Sequence, residues 1–196
     1  MQRTMSSISV LVVLRLASAA WAQSATVTVT HTHATGLVQP SETIRIKVVL
    51  TWTGVFALHH IAGEAVASPD LGMAASPWAY GGPSPFVNPG SPAAGSIRGV
   101  DIQSPPPGFL GGPSPYFASP LYFLRYDWTA PAQLGQVDFT WIARPDLPNP
   151  LFYEQFISVT PISVPTAYFG TSITVIPAPP SASAVAGLLA MGRRRR

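Results

Sequence analysis

The sequence predicts an all-β protein: an antiparallel two-sheet β-sandwich with long Pro/Gly-rich loops. Three observations carry that expectation. Apolar and polar residues alternate with a period of two in several short segments, the pattern of strands with one face buried. Prolines number 22 and are spread evenly, and a residue without an N–H is excluded from helix interiors. Between Gln23 and Ile176 no segment sustains a helical period over three turns.

The elements follow in order. Residues 26–33, TVTVTHTH, place Val27, Val29, His31 and His33 on one face and threonines on the other. Pro40 and Ser41 mark a turn, after which Ile44, Ile46, Val48, Leu50 and Trp52 form an apolar face opposed by Arg45 and Lys47. This Pro-Ser-Glu-Thr turn leading into a strand is similar to the opening of bacterial immunoglobulin-like and cohesin-like sandwich domains, and the resemblance implies their architecture. Further strands are expected at VFALHHIA, SIRGVDIQ, LYFLRYDWT, QVDFTWIA, LFYEQFISVT and AYFGTSITV, which makes about seven or eight in all. In QVDFTWIA, Val137, Phe139, Trp141 and Ala143 share a face, and Asp127 and Asp138 fall on solvent faces. Gly170, inside the last run, signals a bulge or a close backbone contact.

Between Ser68 and Pro120 the alternation breaks. The stretch is crowded with Pro, Gly and Ser and holds GGPSPF at 81–86 and GGPSPY at 111–116, whose flanks do not match. That reads as two similar turns, not a repeat architecture. Apart from SIRGVDIQ, long stiff loops at one end or edge of the sandwich are expected here.

Both ends read as addresses. The start, MQRTMSSISVLVVLRLASAAWAQ, has an early basic residue, an apolar stretch, and Ala20 and Ala22 at signal-peptidase spacing, so residues 1–22 are expected to be a signal peptide cut before Gln23. The other end runs Ile176-Pro177-Ala178-Pro179, then small and apolar residues, then Arg193, Arg194, Arg195 and Arg196. As a helix, the twelve residues from Ser181 to Gly192 reach about 18 Å, short of the ~30 Å hydrocarbon core, while the arginines resist crossing. A Pro-containing tetrapeptide, a short apolar helix and a terminal arginine cluster resemble the PEP-CTERM sorting signal, with Ala178 where that family usually has Glu. The resemblance implies export, a transient stage at the inner membrane, processing by an exosortase, and delivery to the cell surface or extracellular matrix. The expected organisation is a signal peptide at 1–22, a sandwich domain at 23–175 and a sorting tail at 176–196.

Charge and composition narrow the function. The net charge of +3 comes from the ends, since residues 23–176 carry five basic against eight acidic residues, a net of −3. No Lys/Arg cluster is present in this body to displace counterions, which argues against nucleic acid as a partner. The chain has no cysteine, so disulfides and thiolate metal sites are excluded. There is no G-x-S-x-G elbow and no phosphate-cradling glycine loop. No cofactor and no enzymatic activity are expected.

Three readings of the body remain. One is a structural or adhesive component of the matrix. A second is a carbohydrate-binding module, with Trp78, Tyr80, Phe86 and Tyr116 as stacking surfaces for a matrix polysaccharide. Phe109 and Phe117 lie in the same loop-rich region, and the plain alternative is that these aromatics fold back over the core. The third, which runs against the expectation of no enzymatic activity and ranks behind the other two, is a metal-dependent enzyme. His31 and His33 at i and i+2 could offer two imidazoles to one metal, with His59 or His60 as a third ligand and Glu64 or Asp70 as a carboxylate.

Overall fold

A computed structural model describes residues 23–54, 56–81, 85–104, 118–154 and 160–179, and these contain strands, turns and bends but no helix. The strands in chain order are β1 (Ala25–His31), β2 (Leu37–Val38), β3 (Thr43–Trp52), β4 (Phe56–Ser68), β5 (Met73–Ala79), β6 (Val87–Asn88) and β7 (Ser91–Ala93). They continue with β8 (Ser96–Gln103), β9 (Leu121–Thr129), β10 (Gly135–Ala143), β11 (Leu151–Glu154), β12 (Ile162–Ser163), β13 (Thr166–Phe169) and β14 (Thr171–Val175). The signal-peptide segment with Ala20 and Ala22, the loop aromatics Phe109, Tyr116 and Phe117, and the tail from Pro180 through Arg193–Arg196 lie outside the described residues.

The strands form two sheets. The front sheet is five-stranded, in the order β13-β1-β3-β9-β5. The back sheet has nine strands, with β12-β11-β4-β10-β14-β2 as its main path and β8, carrying β6 and β7, on the other side of β4. Pairing is antiparallel except for β1 with β13 and β14 with β2, which are parallel.

The alternation read from the sequence is what the core is made of. Val27 and Val29 point inward from β1, Ile44, Ile46, Val48, Leu50 and Trp52 from β3, and Val137, Phe139 and Trp141 from β10, all buried. Three aromatic contacts tie the two sheets together. Phe123 meets Trp141 edge-on at 5.1 Å, Trp128 meets Phe139 edge-on at 5.2 Å, and Trp52 tilts against Phe152 at 5.4 Å. Edge-to-face pairs at such spacings add about 0.5–1.5 kcal/mol each beyond their buried area.

Two expectations are corrected. Of the stretch from Ser68 expected as loops, the described part holds strands besides SIRGVDIQ: β5 closes one edge of the front sheet, and β6 and β7 pair with β8, while β4 runs past the expected VFALHHIA to Ser68. The signal was weak because β5 contains Pro77, which an edge strand tolerates, and its pairing with β9 shifts register between Ala75 and Trp78. The run AYFGTSITV is two strands, not one. β13 pairs with β1 in the front sheet and β14 with β10 in the back sheet, so the chain changes sheets at Gly170. An added Cβ there would sit 2.6 Å from the Phe139 carbonyl oxygen, which is the close contact the glycine signalled.

Candidate functional site

Two neighbouring bulges shape the outer face of the front sheet. Between Val48 and Val49 of β3 the register with β9 shifts, so that Leu124 faces Val48 and Tyr122 faces Val49, with Phe123 as the extra residue. As a result Phe123 and Leu124 are both buried, while Tyr122 and Arg125, three apart in sequence, emerge on the same outer face. The β5 bulge brings Trp78 opposite Arg125. Arg125 also faces Lys47 across β3. Lys47, Arg125 and Trp78 therefore form one row across three adjacent strands.

Contacts within the row are specific. The Arg125 guanidinium carbon lies 4.4 Å from the Trp78 ring centroid, and Lys47 Nζ lies 5.7 Å from that of Tyr122. Tyr80 meets Trp78 edge-on at 6.3 Å. Trp78 is 37% exposed, Tyr80 41% and Tyr122 54%. Together with Pro120 they line a shallow groove of about 410 Å³. A second hollow of about 580 Å³ continues from Lys47 and Arg125 towards Arg45, Asp127, His33 and Glu42. There Arg45 Nε donates to Asp127 at 2.9 Å, which raises the guanidinium pKa further.

Of the aromatics singled out in sequence, Trp78 and Tyr80 stand together on this face. Phe86 is also exposed but belongs to the back-sheet side, where its carbonyl accepts the Gln103 N–H. Tyr116 is outside the described residues. Lys47, Arg125 and Tyr122 were not singled out, because their juxtaposition depends on strand order and on two bulges.

The histidines do not converge. β1 ends at His31, and His33, past that end, sits 3.4 Å from Glu42. His59 and His60 lie on β4 in the other sheet, where His59 Nδ1 donates to the Ser104 carbonyl at 2.7 Å. His60 Nε2 lies 3.0 Å from Asp101. Burial lowers the His60 pKa, and this outweighs the opposing pull of the Asp101 carboxylate. Among the described residues no group of three or more His, Asp or Glu is placed to hold a metal ion. Glu64 and Asp70 instead both engage Arg98, while Asp101 and Asp146 both engage Arg144.

The stretch expected as a sorting motif begins where the sandwich ends. The Ile176 N–H donates to the Val38 carbonyl at 2.8 Å, extending the β14–β2 ladder by one residue. Pro177, Ala178 and Pro179 then follow, exposed.

Comparison with solved structures identifies the architecture. The chain is similar to the seventh ScaB type I cohesin from Pseudobacteroides cellulosolvens, with a TM-score of 0.52 at 10% identity, covering 81% of this chain and 95% of that one. It is also similar to a chain of a type I cohesin–dockerin complex from Clostridium thermocellum, with a TM-score of 0.50 at 10% identity, covering 77% of this chain and 99% of that one. At such identity the likeness shows the fold, a cohesin-like β-sandwich. No protein-family model matches the chain, and no curated protein matches it in sequence.

Proposed function

We propose that the chain is an exported, non-catalytic binding protein of the cell surface or extracellular matrix, and that its contact surface is the outer face of the front sheet. The observation that carries this reading is the cluster of Trp78, Tyr80 and Tyr122 around Arg125 and Lys47. Exposed aromatics are normally avoided on a solvated sheet face, and their concentration at one place marks an interaction surface. The similar cohesin was solved in complex with a dockerin, which supports a binding role for a sandwich of this shape. The non-catalytic reading is supported by the acids, since Glu64, Asp70, Asp101, Asp127 and Asp146 are all engaged by arginines.

In this reading residues 1–22 are removed by signal peptidase. Residues 176–196 form a PEP-CTERM-like tail that makes transient inner-membrane contact and is cut by an exosortase-like enzyme. Support comes from the placement of the motif: its prolines are exposed immediately beyond the last ladder bond, so cutting there leaves every described core residue in place. Mass spectrometry of the protein recovered from its native host tests the processing. The expected mature form starts at Gln23 and lacks Arg193–Arg196, and retention of Arg196 at the surface would overturn the sorting claim.

Polysaccharide is the occupant this face favours, because flat aromatic rings suit the apolar C–H face of a sugar. A glycan array with the wild type and Trp78→Ala tests it. The expected result is binding that the substitution weakens, and binding indifferent to Trp78 would retire the surface.

A further inference from the structure

The body carries five basic side chains, all among the described residues, and they divide into two sets. Arg45 pairs with Asp127, Arg98 with Glu64 and Asp70, and Arg144 with Asp101 and Asp146. Lys47 and Arg125 have no carboxylate partner among the described residues; each sits over an aromatic ring instead. They also face each other directly across β3 and β9. Like charges opposed in a ladder destabilise the pair. A body with net charge −3 thus sets its two acid-free cations side by side, against the sheet's own preference, on one outer face.

The way Arg125 is held matters. Arg125 lies over the Trp78 ring, and a guanidinium that stacks flat on an aromatic ring keeps its in-plane N–H donors available at its edge. Those donors form the fork that accepts a carboxylate in two parallel hydrogen bonds. Lys47 adds a point charge one strand away, about 4.8 Å across the sheet. Exposed ring surface of Tyr122 and Trp78 flanks both cations.

We propose that this groove binds an acidic polysaccharide, with a uronate carboxylate on Arg125 and Lys47 and the sugar's apolar face on Tyr122 and the part of Trp78 that Arg125 leaves exposed. The inference rests on the reading of this face as glycan-binding and specifies the ligand's charge. In a uronic acid the carboxylate is attached to the sugar ring itself. Charge and flat apolar face therefore arrive together, within one unit about as wide as the spacing of the strands that carry Lys47, Arg125 and Trp78. An Asp or Glu side chain of a protein partner brings the charge on a flexible stem and no ring face. Two residues further along the strands, about 7 Å away, Arg45 is already paired with Asp127, so the cations without a carboxylate partner lie at the Trp78–Tyr122 end.

Affinity electrophoresis and surface binding of the full chain to polygalacturonate, dextran and poly-glutamate provide the test, using the wild type, the Lys47→Gln/Arg125→Gln double variant and Trp78→Ala. All replaced side chains lie at least partly exposed on the outer face, and unchanged circular dichroism confirms that the variants are folded. Polygalacturonate is expected to retain the wild type, and the double variant is expected to lose about tenfold in affinity, the scale of two exposed charge contacts. Raised salt is expected to weaken wild-type binding more than that of the double variant. Equal retention by dextran, unaffected by the double substitution, would overturn the acidic-ligand assignment while leaving glycan binding intact. No retention by either polysaccharide would overturn both. Equal or tighter binding to poly-glutamate would overturn the sugar and point to an acidic protein partner.

Discussion

Replacing Gly170 by alanine tests the crossing between sheets most directly. The new Cβ would lie 2.6 Å from the Phe139 carbonyl oxygen and 3.0 Å from Thr140 Cγ2, where ordinary contacts begin at 3.4 Å. The carbonyl belongs to β10, where Phe139 pairs with Thr171 on one side and Ala67 on the other. It cannot retreat without disturbing two ladders and the buried Phe139 ring against Trp128. Overpacking of this kind costs about 1–3 kcal/mol. Loss of glycine's freedom in the unfolded chain offsets about 0.4–1 kcal/mol. The net is a destabilisation of about 1–2 kcal/mol, or a Tm lowered by about 3–8 °C in a domain of this size. Thermal unfolding followed by tryptophan fluorescence and circular dichroism reads it. Gly99 supplies the control, because it has φ +69° and nothing within 4 Å of its ideal Cβ. Its demand is purely conformational, so Gly99→Asn is expected to be better tolerated than Gly99→Ala. At Gly170 asparagine should be no better than alanine, since space rather than φ is limiting. A Gly170→Ala protein as stable as the wild type would refute the reasoning.

Two further outcomes follow from buried polar groups. His60 has its pKa lowered by burial from 6.5, so the unfolded chain takes up a proton that the folded one resists. Stability is then full above pH ~6.5 and falls as pH drops through the folded pKa, and His60→Gln should flatten that fall. An NMR titration midpoint for His60 at or above 6.5 would contradict it. The Tyr126 hydroxyl is buried with no hydrogen-bond partner among the described residues, and burial pushes its pKa far up. Tyr126→Phe removes an unsatisfied group and should leave Tm unchanged or higher. A loss above ~1 kcal/mol in urea denaturation would show that the hydroxyl is satisfied.

What sequence revealed and what it concealed divide along one physical line. Local alternation was enough to orient Val27 and Val29, the inward face from Ile44 to Trp52, and Val137, Phe139 and Trp141, because a half-buried strand writes its burial into every second residue. Gly170 was legible for a similar reason: an isolated glycine in a strand needs a neighbour. β5 was concealed by Pro77 and by alanines too small to announce a core face. The proposed binding face was half legible. Trp78 and Tyr80 stood out as bulky residues in a loop-like stretch. Strict alternation would have set Tyr122 against Arg125, and only the β3–β9 bulge brings them to the same side. His31 and His33 had ligand spacing, but the strand stops at His31 and the spacing loses its meaning beyond that point.

The parallel pairing of β1 with β13 has a mechanical consequence. Ala25 lies beside Thr166, and from there the chain keeps the same heading through Gly170 to Val175, about 30 Å further on. The two extremities of the sandwich therefore leave from opposite poles. Tension applied between them would slide neighbouring strands lengthwise, straining many ladder bonds at once instead of unzipping them singly. A protein pulled between these two extremities would meet the force in its most resistant orientation.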